Sequence, residues 1–157
     1  MKRMLVIMLL MGIQSVYVQA QALPPVGTWG LRASIQVDST VVMLPYRLNE
    51  NTTISPLLGF EWIEDESTTI LIGAHSQRYL NTSSRFANYI GFKAAALNIS
   101  PDGGDSETNF LLGAFIGGDV FMSPRISVGV EAGLDLALGS DQNALSTATS
   151  AFLTYYF

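Results

Sequence analysis

Cysteine is absent from this chain of 157 residues, histidine occurs once, and charged residues make up only 13% of the sequence. Without cysteine the protein must hold its shape without disulfide bonds, and a lipoprotein signal, which requires a cysteine, is excluded. The sequence also lacks a phosphate-binding glycine loop, a cluster of metal ligands and a nucleophile elbow. We therefore expect no cofactor, no metal centre and no enzymatic activity.

Positive charge is scarce as well. Lysine and arginine number 8 against 13 acidic residues, which gives a formal net charge of −5. Nucleic acid is therefore an unexpected partner, because its phosphate backbone selects basic surfaces.

Long hydrophobic runs are limited to one segment, Met4–Ile13, near the start of the chain. A membrane-spanning helix needs about 20 apolar residues, so this run is too short to be one. It follows a basic start and precedes Val18-Gln19-Ala20, a small-residue motif of the kind cleaved on export. We expect residues 1–20 to be a signal peptide and residues 21–157 to form one exported domain.

A regular alternation is present instead, and it is clearest between Ile126 and Leu138. Every second residue there is aliphatic, and the residues between them are Ser, Gly, Ala and the two carboxylates Glu131 and Asp135. Period two predicts a strand with two different faces. The small polar face suits the narrow lumen of a small barrel, and the aliphatic face suits lipid.

The same pattern predicts eight strands. Tight turns follow the second, fourth and sixth strands, and acidic loops follow the third and fifth, a wiring typical of outer-membrane barrels with both termini at the periplasmic end. Pro45 cannot donate a ladder hydrogen bond, so we expect a bulge or weak pairing there. Residues 75–79 lack a clean apolar face, which either a bulge or an early exit from the bilayer explains. The predicted strands are residues 27–37, 41–48, 53–63, 68–80, 85–99, 109–122, 124–138 and 144–157.

Seven charged side chains fall on the predicted inward faces of these strands. Buried charges require partners, so we expect them to form a network that plugs the lumen. The alternative is a polar permeation path through a small pore. The seven residues are Arg32, Arg47, Glu61, Lys93, Asp119, Glu131 and Asp135.

Three segments resemble the small eight-stranded outer-membrane β-barrel domains of the OmpA/OmpX type. They are the terminal pattern Leu153-x-Tyr155-x-Phe157, the strand-turn-strand segment 121–127 and the turn 79–86. The terminal pattern is similar to the signal by which the barrel-assembly machinery recognises its clients. The resemblance implies an all-β, eight-stranded antiparallel up-and-down transmembrane β-barrel, in contact with outer-membrane lipid and lipopolysaccharide. It implies function poorly, since relatives serve as anchors, adhesins, protease inhibitors or enzymes.

His75 and Ser76 are the one pair that invites a catalytic interpretation. In outer-membrane lipid A deacylases the His and the Ser resemble an H-x-S pattern, with one residue between them. Here the two residues are adjacent. Adjacent residues of a regular strand face opposite sides, so a hydrogen bond between this base and this nucleophile is not expected. We therefore expect no catalytic residues.

Acidic residues concentrate in the predicted outer loops. Asp102, Asp105 and Glu107 could offer oxygen ligands to Ca²⁺, although the spacing lacks the pattern of an EF-hand, and a solvated loop is the expected structure. With residues 64–66 and Asp141 they make the rim acidic. Such a rim could bind divalent cations that bridge lipopolysaccharide phosphates, or a basic partner whose identity the sequence leaves open.

The sequence thus predicts a non-enzymatic outer-membrane barrel with a charge-plugged lumen, which acts through acidic surface loops in envelope integrity or surface interaction. Two alternatives stay open: a small outer-membrane pore, and a soluble lipocalin-like barrel that binds a ligand with its apolar faces turned inward.

Overall fold

The computed structural model of the protein describes residues 23–35, 40–63, 67–81, 85–101, 105–139 and 143–157. The predicted signal peptide of residues 1–20 lies outside the described residues. Within the described ranges, no helix has the length and apolar character needed to cross a membrane. The strand segments are β1 (Gly30–Ile35), β2 (Thr40–Met43), β3 (Tyr46–Arg47), β4 (Thr52–Ile63), β5 (Ser67–Tyr79), β6 (Phe86–Pro101), β7 (Glu107–Ser123), β8 (Ile126–Leu138) and β9 (Ala144–Tyr156).

Antiparallel pairing joins neighbouring strands around the sheet and closes it between β1 and β9. β1 pairs with β9 from Gly30↔Tyr156 to Ile35↔Ala151, so the first and last strands are neighbours. Both β2 and β3 pair with β4 and together act as one strand of the barrel. The predicted fold, a closed eight-stranded antiparallel barrel, is confirmed.

The break between β2 and β3 lies at Pro45, where the sequence predicted weak pairing. Proline has no backbone N–H, so it cannot continue the ladder as a donor. The neighbouring strands still contact this segment, because Gly30 N donates to Pro45 O at 2.8 Å and Leu44 N donates to Pro56 O at 3.0 Å. The local irregularity therefore leaves the wall of the barrel closed.

The aliphatic faces of the strands point outward, as the alternation predicted. Phe92 and Ile116 on the outer surface are 67% and 65% exposed, and Val130 on β8 is 62% exposed. The soluble alternative required these faces to line the interior, and in this respect it is wrong. Other large apolar side chains of the outer face are Leu58, Phe60, Ile72, Leu112, Leu134 and Leu153.

The second half of β5, whose facing the sequence left open, alternates without interruption. Its pairing with β4 and with β6 keeps one register from residue 67 to residue 79. His75 and Tyr79 are buried inside the barrel, and Arg78 is exposed outside it. The bulge considered for this segment is therefore wrong, and an early exit from the bilayer stays a prediction.

Rings fill much of the lumen near the turn end, the end at which β1 begins and β9 finishes. The alternation predicts that Tyr89, Phe115 and Phe121 face inward, and all three side chains are buried. Glycines on adjacent strands make the space: an added Cβ at Gly91 would meet the Phe115 ring, and one at Gly117 would lie 2.6 Å from the Tyr89 ring. The close packing expected of strand glycines is found here. The buried apolar cluster comprises Leu23, Tyr79, Ala87, Tyr89, Phe115, Phe121, Phe152 and Tyr156.

Candidate functional site: the charged lumen

Arg32 on β1 is the centre of a cluster of charges that crosses the lumen. Its side chain is fully buried, and its guanidinium nitrogens lie 3.4 Å from Asp119 Oδ2 and 3.4 Å from Glu131 Oε1. Arg32 Nε also donates a hydrogen bond of 2.9 Å to Thr154 Oγ1. The guanidinium lies 4.0 Å from the centre of the Phe152 ring, in the geometry of a cation–π contact.

The two carboxylates of this cluster accept hydrogen bonds from further donors, although Asp119 Oδ1 is buried without a hydrogen-bond partner among the described residues. Asp119 accepts a hydrogen bond of 2.8 Å from the Tyr79 hydroxyl, and Glu131 accepts one of 3.0 Å from the Tyr89 hydroxyl. Gln77 Nε2 donates to Glu131 at 3.4 Å. Because these side chains come from β1, β5, β6, β7, β8 and β9, they link most of the circumference of the barrel. We call Arg32, Asp119, Glu131 and their partners the Arg32 cluster.

A second ion pair lies on the loop side of the Arg32 cluster. Lys93 Nζ on β6 is 2.7 Å from Asp135 Oδ2 on β8, and the two side chains are 20% and 11% exposed. The exposure of this pair contrasts with the full burial of Arg32 and Asp119. Solvent therefore reaches the upper lumen, the part between the Arg32 cluster and the loop end, more easily than it reaches the Arg32 cluster itself.

The remaining two charges of the predicted network have no carboxylate or cation partner among the described residues. Arg47 is buried near the turn end, donates from Nη2 to the Glu50 backbone carbonyl, and lies over the Tyr79 ring at 5.1 Å. Glu61 is half-buried near the loop end of β4. The structure thus brings five of the seven predicted residues into two groups and leaves Arg47 and Glu61 outside them.

His75 takes part in the lumen packing in a way that the sequence did not predict. Its ring stacks on Phe115 with centroids 4.3 Å apart, and its Nε2 lies 3.4 Å from Glu131 Oε2. Ser76 lies on the outer face, because adjacent residues of a strand face opposite sides of the sheet. Ser55 is the inward cross-strand neighbour of His75, but its hydroxyl makes no hydrogen bond with another described residue. The described lumen therefore offers no serine activated by this histidine.

The acidic loop that sequence analysis considered as a cation site is only partly described. Asp102 lies outside the described residues, and Asp105 and Glu107 are exposed. Among the residues that the structure describes, no group of three potential ligands is arranged to hold a metal ion.

The terminal aromatic pattern lies on the outer face of β9. Leu153, Tyr155 and Phe157 are 54%, 45% and 68% exposed, and the inward residues between them are buried. Phe157 N donates to Trp29 O at 2.9 Å, so the chain end is held against the first strand.

A cavity of about 160 Å³ occupies the lumen between the Arg32 cluster and the loop end. One wall is an apolar cluster of Val41, Met43, Leu57 and Ala95, against which Leu71 packs. The polar side of the cavity includes Glu61, His75, Lys93, Glu131 and Asp135. The alternation predicts that Met43 and Ala95 face inward. It does not predict that they meet in one apolar wall beside the charged residues.

No protein-family model matches the chain, and no curated protein sequence is significantly similar to it. Two solved structures share its architecture. The neisserial surface protein A superposes with a TM-score of 0.64 at 17% identity, over 83% of this chain and 94% of that one. The N-terminal β-barrel domain of Pseudomonas aeruginosa OprF superposes with a TM-score of 0.63 at 12% identity, over 87% of this chain and all of that domain. The chain therefore has the fold of the small eight-stranded outer-membrane β-barrels that its sequence resembles.

Proposed function

We propose that this protein is an integral outer-membrane barrel without enzymatic activity, whose lumen is closed by the Arg32 cluster and whose acidic loop end acts in envelope integrity or surface interaction. The observation that carries the proposal is the distribution of side chains across the barrel wall. Large aliphatic and aromatic side chains are exposed outside, and five of the seven charged side chains predicted to face inward form ion pairs.

The outer face supports insertion in a bilayer. Contiguous exposed apolar patches of this extent are rare on soluble monomers. In lipid the same surface is favourable, and the closed ladder satisfies the backbone groups that hydrocarbon cannot. Location in the outer membrane further rests on the predicted signal peptide of residues 1–20 and on the fold shared with outer-membrane barrels.

Charge asymmetry between the two ends supports a role for the loop end. Acidic residues occur in or beside all four connections at this end, and no lysine or arginine does. Carboxylate oxygens bind divalent cations, which in turn bridge phosphates, so lipopolysaccharide is the partner that this end suits best. The acidic residues concerned are Asp38, Glu64, Asp65, Glu66, Asp102, Asp105, Glu107 and Asp141.

The turn end carries the opposite charge and the terminal aromatic pattern. Arg78 and Arg125 are exposed near this end. The exposed Leu153, Tyr155 and Phe157 would be accessible to the barrel-assembly machinery before β9 joins β1, in keeping with the proposed recognition signal.

We expect the protein to fractionate with the outer membrane and to change its gel mobility when boiled. A closed barrel resists unfolding in cold detergent and migrates as a compact species, whereas heating opens its ladder. The measurement is fractionation followed by electrophoresis of cold and boiled samples from a detergent extract. A soluble protein without a mobility shift would contradict the membrane location.

A small pore is the second candidate, and the cavity at the loop end is the observation that favours it. The Arg32 cluster separates this cavity from the turn end, so we expect no steady conductance in planar bilayers that contain the refolded protein. An established porin refolded in the same bilayers serves as the positive control. Reproducible unitary currents from this protein would overturn the closed lumen and support the pore.

A further inference from the structure

We propose that the cavity in the upper lumen is a binding site for a small organic cation with an apolar body, such as an aryl or alkyl ammonium. The inference goes beyond a closed barrel, since a closed lumen requires no ligand. It rests on the size of the cavity, on its two unlike walls and on its excess of negative charge.

The size of the cavity sets the size of the ligand. Its volume of about 160 Å³ is close to that of an engineered protein cavity of about 150 Å³ that binds benzene. The Arg32 cluster forms its floor, since His75 and Glu131 line the cavity and belong to that cluster. Among the described residues this floor closes one end of the pocket, and the partial exposure of Lys93 and Asp135 places solvent on the loop side.

The apolar wall favours an organic ligand over water. Val41, Met43 and Leu57 are 7%, 6% and 5% exposed, so their side chains are removed from solvent inside a lumen that also holds charges. Water beside such a wall has few hydrogen-bond partners, whereas the apolar body of a ligand would bury the same surface favourably. This wall is what distinguishes the cavity from a simple hydrated vestibule.

The polar side favours a positive charge. The described lumen from the Arg32 cluster to the loop end holds the carboxylates of Glu61, Asp119, Glu131 and Asp135 against two cations, Arg32 and Lys93. Glu61 has no ion pair among the described residues, and Asp135 Oδ1 is buried without a hydrogen-bond partner. An ammonium group in the cavity would supply a charge partner for Glu61 or a donor for Asp135 Oδ1.

The loop end would assist such a ligand before it binds. Its acidic connections raise the local concentration of cations near the opening and repel anions. A ligand that enters is held rather than transported, because the Arg32 cluster blocks the route to the turn end.

Two methionines provide a direct test. Beyond residues 1–20 the chain contains only Met43, in the apolar wall, and Met122, which is 40% exposed on the outer face. Protein carrying ¹³C-methyl methionine is isolated from the membrane fraction, placed in lipid nanodiscs and titrated with benzylammonium, benzyl alcohol and benzoate. We expect a saturable shift of the Met43 methyl resonance with benzylammonium, a weaker effect of benzyl alcohol and none of benzoate. Met122 should stay unchanged, since it reports only partitioning into lipid.

Variants separate the two walls of the site. Glu61→Gln should weaken benzylammonium binding by about tenfold, as loss of a charged hydrogen-bond acceptor does. Ala95→Leu fills the cavity without changing charge and should abolish the Met43 shift for every probe. Glu50→Gln removes an exposed carboxylate at the turn end, away from the cavity and its opening, and it is the matched control, with unchanged affinity.

Three results would overturn the proposal: no Met43 shift with benzylammonium, an equal shift with benzoate, or equal shifts of Met43 and Met122. The heat-dependent gel mobility of each variant is measured in parallel. If the wild-type protein keeps its mobility shift but binds no cation, the site is wrong while the membrane barrel stands. A variant that loses the mobility shift is replaced by Glu61→Asn or Ala95→Val, for which the same changes are expected.

Discussion

Replacing Arg32 with methionine should lower the free energy of unfolding of the barrel by about 3–5 kcal/mol, the usual cost of removing one partner of a buried ion pair. Arg32 and Asp119 are both fully buried, and among the described residues Asp119 has no other cation in contact. The substitution therefore leaves Asp119 and Glu131 with neutral donors only, in a lumen closed to solvent at this depth. Urea unfolding in lipid vesicles, followed by the fluorescence of the two tryptophans, measures the change.

The matched control is Arg125→Met, which removes an exposed arginine from the turn between β7 and β8. Surface substitutions of this kind change stability by about 0.5 kcal/mol or less. If Arg32→Met lowered the free energy of unfolding as little as the control, water would have to solvate the carboxylates. The lumen would then be open rather than closed. Adding Asp119→Leu to Arg32→Met should restore part of the lost stability, because the uncompensated charge is then removed as well.

The alternation of side chains predicted most of the fold because it is a local property of each strand. An alternation of period two is visible wherever one face meets lipid and the other meets the lumen, and the exposure of side chains in β8 alternates from Ile126 to Leu136. Closure between β1 and β9 followed from an even number of strands and from the need to pair every edge in lipid. In β5 the outward residues Ile70, Ile72 and Ala74 occupy even positions, so the odd position of His75 places it inside. The polar residues that follow obscured this facing in the sequence.

Contacts across the lumen could not be predicted in the same way. Arg32 and Asp119 are 87 positions apart, and which inward residues meet depends on the stagger of all the strands between them. The alternation places both residues inside but gives no height along the barrel axis. For that reason sequence analysis grouped Arg47 and Glu61 with the network, whereas the structure places Arg47 near the turn end and Glu61 near the loop end.

The alternation predicts that aromatic residues face inward but not which neighbours accommodate their rings. Phe115, Tyr89 and Phe152 fit inside because glycines on neighbouring strands face them, among them Gly91, Gly117 and Gly129. Each such match requires the cross-strand register, which one strand alone does not contain. The hydrogen bonds that tyrosine hydroxyls donate to Asp119 and Glu131 depend on the same register, as does the apolar wall of the cavity, and neither was predicted.

Replacing Ile116 with arginine should destabilise the membrane-inserted barrel by about 2–4 kcal/mol, the cost of arginine on the lipid face near the bilayer midplane. Ile116 is 65% exposed on the outer face of β7, and its ladder partners are Ile90 on β6 and Ala132 at the middle of β8. The guanidinium would sit in hydrocarbon without a partner, and its side chain is too far from either interface to reach the headgroups without distorting the bilayer.

The stability loss caused by Ile116→Arg also distinguishes a membrane barrel from a soluble one more sharply than cell fractionation does. On a water-exposed surface the same change would alter stability by about 0.5 kcal/mol or less, because an exposed isoleucine contributes little to the core. Thr108→Arg is the matched control, since Thr108 is an exposed outward residue on the same strand near the loop end, where arginine reaches water. In urea titrations in lipid vesicles, a large loss for Ile116→Arg and a small one for Thr108→Arg would locate the hydrocarbon belt on β7. Equal and small losses would mean that this face meets water, and the aliphatic belt would then need a protein partner rather than lipid to cover it.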